Sequence, residues 1–206
     1  MTAEIFTKPT LIKGQPAEIR CVELGDQVFT ISGGPVRLLG LEDDCFEDLD
    51  DPQAVLDKVR SEPCVKADLF TFWQRPPDYA PRYDWDFEMV DLAVLPVSSY
   101  EHWFTKQIKS RVRNQVRKAE KSGIEVREVP YDDEFVRGMT AIFNEAPIRQ
   151  GRPFWHYGKD FETVKAQFSR YVHREVMLAA FFEGRIIGLV MLGDAGRFAL
   201  TGQIIS

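Results

Sequence analysis

Long apolar runs, paired cysteines and clustered histidines are all missing from this sequence. No stretch of about eighteen apolar residues occurs, so no membrane-crossing helix is predicted. The opening residues, MTAEIFTKPTLIKGQPAEIR, lack a basic segment followed by an apolar block, which argues against a secretory signal. The three cysteines, Cys21, Cys45 and Cys64, stand far apart without a CxxC pair. That odd, unpaired usage excludes a disulfide framework and a cysteine zinc site, and it suits a reducing cytoplasm. His102, His156 and His173 are the only histidines and none has ligand-pair spacing, so no metal cofactor is expected. What is present is a chain of 206 residues, 44% apolar and 12% aromatic, long enough for one large domain or two small ones with a core.

The net charge of -6 conceals a division: residues 1–104 hold 20 acids against 9 bases, residues 105–206 hold 12 against 17. An anionic partner would be drawn to the second half. The extremes are EDDCFEDLDD (42–51), with seven acids in ten residues, and KSRVRNQVRKAEK (109–121). The acidic run lacks the glycine and ligand alternation of a calcium loop and reads as a solvated surface segment.

Along the first half, AEIRCVEL and QVFTISG flank Gly25-Asp26, a pair that predicts a hairpin, and GGPVRLLGL adds a short apolar run. Asp51 as cap and Pro52 at the first position start a helix over QAVLDKVRS. ADLFTFWQ and FEMVDLAVLPV read as buried strands around the proline-rich loop RPPDYAPRYDWD. A helix is expected from Ser98 or Ser99 to Gly123, with Ile108, Val112, Val116 and Ala119 falling within about 80° of one another. IEVREV then reads as a strand, EFVRGMTAIFNEA as a helix stopped by Pro147, and FETVKAQFSRYV as a helix capped by Asp160. EVMLAAFF, RIIGLVML and FALTGQIIS follow as strands joined by short turns, hence antiparallel. The fold class is α/β (α+β), and the second half reads β-α-α-β-β-β.

That order resembles the front of the GNAT acyltransferase fold, a mixed sheet with flanking helices. The stretch from Tyr100 to Val126, with Tyr100, Trp103 and KSRVRNQVRKAEKSGIEV, is similar to the helix and strand that open the second GNAT-like unit of Fem-type aminoacyltransferases. The resemblance covers residues 90–206. It implies a degenerate GNAT-like half-domain over 1–97, a basic linking helix over 98–123 and the front part of a GNAT-like domain over 124–206. It further implies a cytoplasmic N-acyltransferase moving an acyl or aminoacyl group from acyl-CoA or aminoacyl-tRNA to a small-molecule or peptide amine. The sequence departs from the pattern in one respect: no RxxGxG-like loop is present to hold a pyrophosphate, and the chain reaches Ser206 where the fourth strand should finish. The expectation is therefore a unit incomplete in this chain, with an apolar strand at an open edge through which two copies can pair.

By position in that fold, the backbone around Gly202, Gln203 and Ile204 would face a tetrahedral oxyanion. The last strand carries no acid to act as base. The loop NEAPIRQGRPFWHYGKDF would lie at the acceptor, with Glu145, His156 and Tyr157 as candidates for proton transfer and Arg149, Arg152, Trp155 and Gln203 for substrate binding. Phe154, Trp155, His156 and Tyr157 either plug the core or line a pocket. The basic helix has two readings. Arg113, Arg117 and Lys118 either bind an anion, with RNA as a candidate partner, or solvate a linking helix that faces the acidic first half.

Overall fold

A computed structural model describes residues 3–12, 15–75 and 78–206; Pro76 and Pro77 of the expected proline-rich loop lie outside the described residues. The chain forms two compact units. One takes in Met1–Asp84, Glu162–Glu175 and Gly193–Leu200, the other Trp85–Phe161, Val176–Leu192 and Thr201–Ser206. The fold is mixed α+β.

The first unit is built on a sheet in the order β1-β2-β3-β4-β5: Ile5–Ile12, Gln15–Leu24, Gln27–Gly33, Arg37–Leu41 and Leu69–Phe70. The Gly25-Asp26 hairpin forms as the sequence predicts, with Gly25 at φ 80 supplying the left-handed turn residue. Alternation then puts Val22, Leu24, Phe29, Ile31, Leu39 and Leu41 into one core. β4 and β5 pair in parallel, which makes the sheet mixed. Helix α1 spans Pro52–Ser61, and the Asp51 carboxylate accepts from the Ala54 N–H at 2.9 Å. β1 escaped the sequence reading because Lys8 and Pro9 interrupt its apolar pattern.

The acidic segment differs from its sequence reading. It is not a solvated face but the hub of an ion-pair network within this unit. Glu42, its side chain 7% exposed, meets Lys8 at 2.8 Å and Arg170 at 3.4 Å. Glu47 meets Arg174 at 2.8 Å, and Asp48 meets Arg197 at 2.8 Å and also Arg75. Between the acids, Phe46 turns inward against Tyr171 at 4.8 Å, and burial drives the Tyr171 phenol well above its ordinary range. Gly193 passes so close to the Phe46 ring that no β-carbon would fit there.

In the second unit, Ser99 caps α2 (Tyr100–His102), accepting from the His102 N–H. The helix runs on as a π-helical turn over Trp103–Gln107. The single helix expected over 98–123 is broken there: Ile108 and Lys109 adopt extended backbone before α3 begins at Ser110 and runs to Lys121. Gly123, at φ 84, ends α3 as expected. Its N–H bonds the Glu120 carbonyl and the Ile124 N–H bonds that of Ala119, a Schellman closure. The expected strand FEMVDLAVLPV has no regular structure, and its large apolar residues are exposed.

A four-stranded sheet follows in the order β11-β10-β9-β6: Ala199–Ile205, Arg185–Asp194, Glu175–Phe182 and Glu125–Val129. The two-residue turn Glu183-Gly184, both at positive φ, joins β9 to β10. One face buries Met177, Ala179 and Phe181 with Leu189 and Met191. Helix α4, Asp133–Phe143, capped by Asp132, buries Phe135, Val136, Met139, Ile142 and Phe143. At Gly138 the helix backbone comes so near β10 that a β-carbon would lie 2.6 Å from Ile186. Helix α5 spans Phe161–Phe168, shorter than the sequence predicts, and a 3-10 turn over Val172–Arg174 follows it; from Glu162 on, both belong to the first unit.

Candidate functional site

The other face of this sheet stays open. In the β6–β9 register Val126 stands opposite Ala180 and Glu128 opposite Leu178, and Val126 is 67% exposed. Val126, Leu178, Ala180, Val190 and Ile204 floor a cleft of about 660 Å3, whose wall includes Arg149, Phe154 and Gln203. That is the size of a small-molecule site.

Arg149 is positioned by a two-residue hairpin. β7 (Ile148–Arg149) and β8 (Arg152–Pro153) are joined by Gln150 and Gly151, at φ 51 and 75. Its guanidinium donates to the carbonyls of Ser206 at 2.7 Å and Ile142 at 2.8 Å, lies over the Phe154 ring, and has Glu145 at 3.8 Å. Its Nε is buried without a hydrogen-bond acceptor among the described residues. An unmade bond from a buried donor of this kind costs about 1–3 kcal/mol. The Gln203 side-chain amide, half-buried on β11, also bonds nothing among the described residues.

The structure therefore brings together Arg149 and Gln203 of the residues singled out from sequence. Glu145, Arg152, Trp155, His156 and Tyr157 do not line the cleft. The aromatic loop divides: His156 is 3% exposed and stacks on Phe143 at 4.3 Å, whereas Trp155 and Tyr157 are 61% and 47% exposed. Desolvation, then the nearby Lys159 ammonium, holds the His156 pKa down to about 4, so the ring is neutral at neutral pH. Lys159 lies 3.5 Å from its Nδ1 and 3.7 Å above the Trp155 ring. Asn144 fastens this loop. Its amide donates to the carbonyls of Thr140 and Lys159, and its side-chain oxygen accepts from the Gly158 N–H at 2.7 Å. Asn144 was missed from sequence; its signal was an amide one residue past a helix end, where free carbonyls need donors.

The basic helix also divides. Arg113 turns back to donate to the carbonyls of Phe104, Thr105 and Ile108, the last at 2.6 Å, and so closes the π-helical turn. Arg117 and Lys118 are exposed, and Lys118 lines a shallow groove with Ser110, Arg111, Asn114 and Gln115. Among the described residues, no cation from 106 to 121 forms a salt bridge. No group of three or more His, Cys, Asp or Glu among the described residues is placed to hold a metal ion, and none of the described helices is long and apolar enough to cross a membrane. The chain matches no family model, no curated protein and no solved structure.

Proposed function

We propose that the cleft of the second unit is the acyl-transfer site of a GNAT-like, Fem-like N-acyltransferase. The observation that carries this reading is the pair Arg149 and Gln203 on the wall of a largely apolar cleft, the guanidinium fixed by its bonds to the Ser206 and Ile142 carbonyls. An acyl chain suits the apolar floor, and its carbonyl suits a donor already desolvated and fixed, because such a donor strengthens as the carbonyl gains negative charge. In the reaction, an amine nitrogen attacks the carbonyl carbon of a thioester or ester. The C–N bond forms, the C–S or C–O bond breaks, and the amine proton leaves with the thiol or alcohol. Acyl-CoA or aminoacyl-tRNA is the donor class and a small-molecule or peptide amine the acceptor. Arg149 and Gln203 bind and polarise the acyl group, while His156 is a wedge that seats the loop. Titration calorimetry with an S-acyl pantetheine tests this. Binding to the wild type should weaken about 10-fold in Gln203→Ala with its melting temperature unchanged. Equal affinity in both proteins, or none in either, would remove the proposal.

A second reading has its own support. The exposed, unpaired cations Lys109, Arg111, Arg117, Lys118 and Lys121 fit a non-catalytic module that docks an anionic or nucleic-acid partner. RNA binding that falls steeply with salt and disappears in Arg117→Ala/Lys118→Ala would establish it. Salt-insensitive or unchanged binding would dismiss it.

A further inference from the structure

Residues 87–97, FEMVDLAVLPV, combine three properties that seldom coexist. They are strand-forming by composition, their seven large apolar side chains are 51–69% exposed, and no backbone hydrogen bond among the described residues involves them. A segment of this kind lacks only a ladder to join.

The same chain offers one. Four strands end the two main sheets, and three are guarded. β1 carries Lys8 and Pro9, β5 is two residues long, and β6 carries Glu125, Arg127 and Glu128. Charge, proline and brevity are the features that keep a sheet edge from pairing. β11, Ala-Leu-Thr-Gly-Gln-Ile-Ile, has none of them, and Ile204 is 68% exposed. The charges also match: 87–97 carries Glu88 and Asp91 and no cation, and the Arg149 guanidinium stands at the end of β11 on the Ser206 carbonyl. Pro96, near the end of the segment, is tolerated in an added strand because that strand becomes the new edge.

We infer that residues 87–97 of one copy of this chain add as a strand to the β11 edge of a second copy. Among the described residues each copy holds an unfilled edge and an unpaired segment, so the exchange is reciprocal and closes as a two-fold dimer without propagating. The inference is independent of the transfer reaction.

Light scattering after size exclusion, from about 1 to 100 µM, together with amide hydrogen exchange, tests it. A concentration-dependent dimer is expected, with protection of 88–97 and of 200–205 appearing together as it forms. Leu92→Asp/Val94→Asp changes two exposed side chains, so it should leave monomer melting unchanged while weakening dimerisation about 100-fold. Three results would overturn the inference: a monomer throughout the range, protection of 88–97 already present in the monomer, or a dimer that survives the double substitution. Binding of 87–97 to zwitterionic lipid vesicles without dimerisation would assign the segment to a membrane surface instead.

Discussion

The acidic run 42–51 and the basic run 109–121 look like mirror images in the sequence, yet the protein treats them oppositely. The acids fold over Phe46 and gather Lys8, Arg75, Arg170, Arg174 and Arg197, cations drawn from four separate parts of the first unit. The bases of α3 stay in solvent, apart from Arg113, which spends its donors on backbone carbonyls. The difference lies in what interrupts each run. Phe46 and Leu49 are large and both are buried, so they carry their charged neighbours down with them. The apolar positions of α3 are Val112, Val116 and Ala119, none of them buried, and they hold the helix by a shallow seam. A carboxylate taken out of water must be paired, and an exposed ammonium need not be.

Four variants bear on that contrast. Gly193→Ala, which forces a methyl into the Phe46 ring beneath the acids, should cost about 3 kcal/mol in denaturant unfolding. A loss under 1 kcal/mol would mean that Phe46 is not the anchor. Glu42→Gln leaves Arg170 and Lys8 without their nearly buried carboxylate and should cost about 2 kcal/mol. If raising salt lowers wild-type stability as much as this substitution does, the pair is a surface pair and the contrast weakens. Arg113→Gln should cost about 1 kcal/mol, the one basic side chain of the helix to behave as the acids do. Arg117→Gln/Lys118→Gln should change stability by less than about 0.5 kcal/mol. A larger loss from that last pair would show α3 to be held by its charges after all.

Much of the secondary structure was legible because it rests on local rules. The Gly25-Asp26 and Glu183-Gly184 hairpins, the Asp51 cap and the Gly123 stop depend on residues adjacent in sequence. The failures share a cause as well. FEMVDLAVLPV reads as a strand because strand propensity records fitness for a half-buried pleat, and whether a neighbour exists to make that pleat is not a local property. The break at Ile108-Lys109 is similar: no glycine or proline marks it, and it is stabilised by Arg113 reaching back across it. Of the candidate site, Arg149 and Gln203 were identifiable as residues, but only the β7–β8 turn and the end of β11 bring them to one cleft. His156 and Tyr157, one residue apart in the same loop, lie on opposite sides of the surface, a distinction that residue type does not encode.

The sequence by itself determined where most helices and strands begin and end, which face of α4 is apolar, and the sign of charge in each half. Burial of individual charges, the neutrality of His156, the open face of the four-stranded sheet and the unfilled β11 edge were decided only by tertiary structure. The reason is that propensity and periodicity are set within a few residues of chain, whereas solvation and pairing depend on atoms the fold brings in from far along it.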